Sequence, residues 1–82
     1  LEPACGRGHM ARTLSEKFGH VEASDVHDYG YGALHDFLGH DYGEATFDWV
    51  ITNPPFRLAE EFIRKALPLA HEGVAMLERA VF

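Results

Sequence analysis

Apolar residues fall in short groups along this chain, and the groups change period. Met10, Leu14 and Phe18 recur every four positions, the spacing that lines one face of a helix. This predicts a helix over residues 9–18, with Gly19 where a glycine commonly ends one. Residues 21–26 read as a short strand ending at Asp25, and residues 47–52 as a compact buried strand. Leu58, Phe62, Ala66 and Leu69 return to the helical period across residues 57–70. Glu60 with Arg64 and Glu61 with Lys65 stand at the i,i+4 separation that supports an exposed helix face. Pro68 is expected to disturb the last turn, because it has no N–H to donate. Residues 1–4 read as the end of a strand, and residues 74–77 as a further strand beyond Gly73. The stretch HDYGYGALHDFLGHDYGEAT reads as loop, with one short apolar element around residues 34–38. Strand and helix alternate, which predicts an α/β fold with a parallel sheet covered by helices.

Composition narrows the class. Eighty-two residues form at most one small domain. The apolar share of 46% and charged share of 24% are ordinary for a soluble globular chain. Thirteen acidic side chains against seven Lys and Arg give a net charge of −6. That balance speaks against strong electrostatic binding of nucleic acid by this segment alone. It leaves room for a site that receives a base held by another, basic domain. Cys5 is the single cysteine, so no internal disulfide forms, as suits a reducing compartment. No apolar run approaches the roughly 20 residues of a membrane span, and no signal peptide is visible. The expectation is a soluble, cytoplasmic protein. Leu1-Glu2-Pro3 reads as the end of a strand that starts upstream, so residues 1–82 are expected to be part of a longer domain. A shortened sheet would have an edge open to self-association.

Two stretches carry candidate chemistry. EPACGRGHMA follows a strand and opens a helix, the setting that a nucleotide-type loop requires. Gly6 and Gly8 let the backbone turn tightly and approach a ligand with no Cβ in the way, and Ala11 takes the third small position. A Gly-x-Gly before a helix is also, in many chains, only a tight connection. Glu2 would repel a pyrophosphate but suits a ligand with an ammonium group, such as S-adenosylmethionine. Asp25 follows Gly8 by 17 residues, near the spacing at which an acid meets ribose hydroxyls; it also reads as a turn or cap residue. Asp36 and Phe37 pair a carboxylate, able to accept from an adenine amine, with a ring to pack on its face.

The second stretch is Asn53-Pro54-Pro55-Phe56. Asn53 precedes a proline and is therefore extended, which projects its side chain from the strand end. Pro54 and Pro55 have fixed φ and donate no hydrogen bonds, so they form a stiff turn whose carbonyls can face a cleft. The Asn53 amide oxygen and the Pro54 carbonyl can each accept one N–H of a planar amino group, freeing its lone pair for an electrophilic methyl. Phe56 can stack on the plane being held. These residues specify a planar NH₂ substrate, with positioning and charge stabilisation as the catalytic terms. The plainer reading is a rigid turn with Phe56 plugging the core.

Together, LEPACGRG, SDV, DFL and NPPF resemble the motifs of class I, Rossmann-like S-adenosylmethionine-dependent methyltransferases that act on amino groups. The order, with NPPF about fifty residues after the glycine loop, is similar to that of N6-adenine DNA methyltransferases. The resemblance implies that Glu2, Ala4, Gly6 and Gly8 bind the methionine end of the cofactor. It implies that Asp25 and Val26 bind the ribose, and Asp36 and Phe37 the adenine. Asn53, Pro54, Pro55 and Phe56 would form the catalytic motif and hold the target amine, flipped from its stack if the substrate is duplex DNA. A DNA partner would be engaged mainly through regions outside these residues. The same chemistry on guanine in ribosomal RNA or on a protein glutamine amide fits NPPF as well, and a non-catalytic remnant that binds cofactor or a partner is the reading from another class. His27, His35 and His40 match no zinc spacing and Cys5 has no Cys partner, so no metal is expected. Arg57 suits a phosphate beside a flipped base, or simply a solvated helix start. Tyr29, Tyr31 and Tyr42 suit base stacking, or packing over the sheet edge.

Overall fold

The computed structural model describes residues 1–44 and 46–77. It is a small α/β arrangement of short parallel strands and two helices. Helix α1 spans His9–Ser15, strands β1 and β2 are Ser24–Asp25 and Ala33–Leu34, and β3 is Phe47–Thr52. A 3₁₀ turn, Phe56–Leu58, precedes helix α2, Ala59–Leu69, which runs without a loop into β4, Ala70–Met76. Two parallel pairs, β1 with β2 and β3 with β4, make the regular sheets.

Residues 1 and 2 join the pairs. The Leu1 nitrogen donates to the Trp49 carbonyl at 2.8 Å, and Leu1 accepts from Ile51 N–H at 3.0 Å. On the other side Glu2 N–H donates to Glu22 O at 2.8 Å, and Ser24 N–H to Glu2 O at 3.0 Å. The resulting order across the molecule is β2, β1, residues 1–2, β3, β4.

Local chemistry explains where elements stop. Strand β3 carries the β-branched run Val50-Ile51-Thr52, which favours extended backbone. Helix α1 ends at Ser15, short of Phe18, because Thr13 and Ser15 turn their hydroxyls back onto the carbonyls of His9 and Ala11. Such bonds compete with the helical ladder. Gly19 is not in the left-handed conformation and does not form the expected cap. The second helix begins two residues later than the spacing predicts, since the Pro-Pro segment feeds a 3₁₀ turn; Leu58 falls in that turn and is exposed. Pro68 is tolerated because α2 ends one residue after it. Strand β4 starts four residues before the expected position, with an irregular register opposite Phe47 and Trp49. Gly73 permits this: a Cβ there would stand 2.6 Å from the Trp49 ring.

The core is Phe37, Val50, Phe62 and Ala66, with Leu69, Val74 and Met76 packed around it. Phe37 and Phe62 meet at 4.8 Å between ring centroids, a favourable tilted contact. Glu60 pairs with Arg64 as expected. Lys65 leaves Glu61 and instead donates to the carbonyls of His40, at 2.6 Å, and Leu38, at 3.4 Å. It thereby ties α2 to the loop that carries Phe37. Among the described residues, no helix is long and apolar enough to cross a membrane.

Phe37→Ala is expected to lower the unfolding free energy by about 3–5 kcal/mol. Leu67→Ala, at an exposed helix position, should change it by within about 0.5 kcal/mol. Urea denaturation of the two variants checks the contrast.

Candidate functional site

The glycine turn is built from left-handed backbone. Gly6 has φ 53° and Gly8 φ 87°, values that residues with a Cβ rarely adopt. Cys5 N–H bonds to Ser24 O at 2.8 Å, and Gly8 N–H closes the turn on Cys5 O at 2.8 Å. Asp25 then grips the turn from the next strand. Its Oδ2 accepts from Gly6 N–H at 2.9 Å and its Oδ1 from His27 N–H at 3.0 Å. Each carboxylate oxygen keeps further lone-pair capacity for a ligand hydroxyl. The acid expected to meet a ligand is thus also the anchor of the loop expected to cradle it.

Glu2 lies under the turn and is almost fully buried, at 1% exposure. One carboxylate oxygen accepts from Ala4 N–H at 3.1 Å. Burial pushes its pKa above the ordinary carboxylate value, and the nearby Asp25 charge adds to the rise; the Thr52 hydroxyl and the Ala4 N–H oppose it. The Thr52 hydroxyl is close enough to act on the carboxylate yet makes no hydrogen bond of ordinary geometry. Since Thr52 is the last residue of β3, Glu2 links the base of the glycine turn to the start of the Asn-Pro-Pro-Phe segment. Cys5, also buried, has its thiol pKa raised by burial first and by the charges of Asp25 and Glu2 next.

In the second stretch Asn53 is exposed and Pro54 buried. The Pro55 carbonyl accepts from Leu58 N–H at 2.9 Å. The Pro54 carbonyl takes no hydrogen bond among the described residues. Phe56 is 75% exposed, so the ring stands in solvent beyond the strand end and does not plug the core.

The remaining candidates separate. Val26 is exposed beside Asp25, and Ala4 is half-buried against the core. Asp36 is exposed and accepts from Leu38 N–H at 3.2 Å, capping its own turn. Phe37 is 1% exposed and sits in the core, so its ring presents no open face to an adenine. The reason is tertiary: Phe62 and Val50 offer that ring a fully apolar site. His35 and His40 stack at 4.0 Å, while His27 meets Tyr29 edge-on at 6.2 Å. A cavity of about 420 Å³ is lined by Leu14, Phe18, Val21, Phe47 and Trp49 among others, and by none of the candidate ligand residues. Sequence reasoning missed Thr52, which faces Glu2, and the contact of Tyr31 with Gly8. The Gly-Tyr-Gly pattern at residues 30–32 was the only available signal for the latter.

No family model, curated protein or solved structure matches this chain.

Because the Glu2 pKa is raised on folding, the unfolded chain ionises first as pH climbs past 4.5. The native state then binds more protons than the unfolded state, and stability falls until the raised folded value is passed. Urea midpoints across that interval should fall for the wild type relative to Glu2→Gln, which keeps the acceptor for Ala4 without the charge. A wild type that gains on the variant as pH rises would contradict the assignment.

Proposed function

We propose that this chain is part of a class I, Rossmann-like methyltransferase that moves a methyl group from S-adenosylmethionine to a planar amino nitrogen, most specifically the exocyclic amine of adenine in DNA. The observation that carries the reading is the adjacency of residues 1–2 and β3. Their hydrogen bonds set the glycine turn and the Asn-Pro-Pro-Phe segment at the carboxyl ends of neighbouring parallel strands. Counting residues 1–2 as the first strand, the order is 3-2-1-4-5. In open α/β sheets, ligands bind where such an order reverses.

The glycine turn and Asp25 support a cofactor of this kind, whereas Phe37, packed in the core, offers its adenine no open face. Space is open above Gly6, where a Cβ would meet nothing within 4 Å, so a ligand can lie against the backbone. Glu2, 1% exposed beneath the turn, shapes the turn through Ala4 N–H and acts on a ligand ammonium only through its charge, while Asp25 offers spare lone pairs for ribose hydroxyls. When bound, S-adenosylmethionine supplies an electrophilic methyl. Asn53 Oδ1 and the Pro54 carbonyl accept the two N–H bonds of the target amine, which raises electron density on its nitrogen. Phe56 stacks on the target ring and excludes water from one face. With its two N–H bonds held in this way, the target nitrogen would present its lone pair to the methyl that the cofactor would supply, and its surplus proton would be lost to solvent. No general base on the chain is required.

DNA would be held mainly by other regions, in keeping with the net charge of −6; Arg57, exposed beside Phe56, suits a nearby phosphate. Guanine in ribosomal RNA and a protein glutamine amide present the same planar NH₂ and are the competing substrates.

Isothermal titration with S-adenosylmethionine tests the first half of the proposal. The wild type should bind saturably, and Asp25→Ala should weaken binding by about tenfold or more, as loss of hydrogen bonds to a charged acceptor implies. A folded wild type that does not bind overturns the reading. Asn53→Ala should keep cofactor affinity and lower methyl transfer to adenine-containing single-stranded DNA by about 10²–10³, measured with radiolabelled methyl donor. Equal transfer to RNA guanine or peptide glutamine would move the substrate assignment.

A further inference from the structure

Tyr31 lies outside the expected set of cofactor and substrate residues, yet its ring rests directly on the glycine turn. A Cβ at Gly8 would stand 2.6 Å from Tyr31 Cδ2 and Cγ, so the ring fills the space where a side chain would be. Arg12 of α1 covers the ring from the other element, with its guanidinium carbon 4.7 Å from the centroid, a cation–π contact. The residues on either side of Tyr31 are both left-handed glycines, Gly30 at φ 79° and Gly32 at φ 72°. Gly32 is pressed into place: a Cβ there would stand 2.6 Å from Ala23 O and 3.2 Å from Cys5 Sγ. The Cys5 thiol lies 3.6 Å from the carbonyls of both Tyr31 and Gly6, between which its one proton is shared, and is 6% exposed.

The segment is otherwise lightly held. It leaves the sheet at Asp25, where His27 N–H bonds to the carboxylate, and re-enters where Ala33 N–H bonds to Ala23 O at 2.9 Å. Between these points Gly30 N–H bonds only to Asp28, at 2.9 Å, and residues 26–30 are exposed. Few buried contacts and local hydrogen bonds mark a segment of low opening energy. Gly30, where a Cβ would meet nothing within 4 Å, is free to hinge, and Gly32 turns with it by leaving its seat against Ala23 O.

We propose that residues 30–32 form a hinged strap and that Tyr31 gates the glycine turn. Closed, the strap covers Gly8 and shields Cys5; open, it frees both sides of the turn for a ligand. The strap follows from packing alone. Its role toward a ligand rests on the reading of the turn as a cofactor site.

Cys5 is the single thiol and reports the opening. Its reaction with dithiobisnitrobenzoate, in which the thiolate displaces thionitrobenzoate to form a mixed disulfide, is followed by absorbance at one fixed alkaline pH. Tyr31→Ala should speed the reaction by about tenfold or more, as removal of a local closing contact implies. Tyr31→Phe keeps the ring and should stay near the wild-type rate. Arg12→Ala, on an exposed helix face, should give about a two- to fivefold rise. Circular dichroism and urea midpoints show which variants remain folded, and Arg12→Ala provides the reading if Tyr31→Ala does not. Unchanged rates in folded variants overturn the strap. S-adenosylhomocysteine titration forms the second arm. A gate that closes the competent state weakens apparent affinity by the closing factor, so affinity should tighten in Tyr31→Ala by the same factor as the thiol rate. Faster thiol reaction with weaker binding overturns the gate and makes Tyr31 a wall of the site. Faster thiol reaction with no binding by any variant leaves the strap standing and overturns the cofactor reading.

Discussion

Four backbone hydrogen bonds made by Leu1 and Glu2 hold this molecule together as one sheet-like unit. Without them β1–β2 and β3–β4 are separate two-stranded pairs, and isolated pairs are marginal in water. The same four bonds decide where the two motifs go. Residues 1–2 lead straight into the glycine turn, and β3 leads straight into Asn53-Pro54-Pro55-Phe56, so lateral pairing of the strands sets the two motifs side by side. Neither motif depends on a flexible loop for its position. Each is fastened at the end of a strand whose direction is set by its neighbour.

The polar groups beneath this junction are buried with few partners. Glu2 is held by one backbone N–H and opposed by the charge of Asp25, and the hydroxyls of Ser24 and Thr52 are buried without hydrogen-bond partners among the described residues. Burying polar groups in this way costs stability. The core that offsets it is small, a cluster of four buried apolar residues with a partly buried surround among the described residues. The buried polar groups and the apolar core are close neighbours: Thr52 pairs with Met76, which packs against the core, and so does Ala4 of the glycine turn.

Asp25 is a supporting side chain that also stands where the proposed ligand would lie. Its two oxygens fix the turn through Gly6 and the following loop through His27, so its orientation is set before any ligand arrives. An acceptor preorganised in this way loses little entropy on binding. The same coupling means that the glycine turn, the loop after β1 and the acid respond together when any one of them is disturbed.

Much of the fold was legible in the sequence because the signals are local. The spacing of Phe62, Ala66 and Leu69, four residues and then three, marks a helix wherever it lies, and the β-branched run before Asn53 marks a strand. Gly6 and Gly8 carry positive φ because nothing else does so without strain, and Pro54 and Pro55 are stiff by covalent geometry. Helix ends were less legible, since the hydroxyls of Thr13 and Ser15 compete with the ladder in ways that apolar spacing does not register. The candidate site was legible as motifs but not as contacts. Nothing local to Asp36-Phe37 says that the ring turns into the core while the carboxylate stays in solvent; that choice was made by Phe62 and Val50, far along the chain. The grip of Asp25 on Gly6, the approach of Glu2 to Thr52 and the rest of Tyr31 on Gly8 are likewise long-range. By itself, then, the sequence determined the conformations that single residues and short periods impose. The tertiary structure decided which of those residues face one another, because burial and hydrogen bonding between distant segments are settled only when the chain is packed.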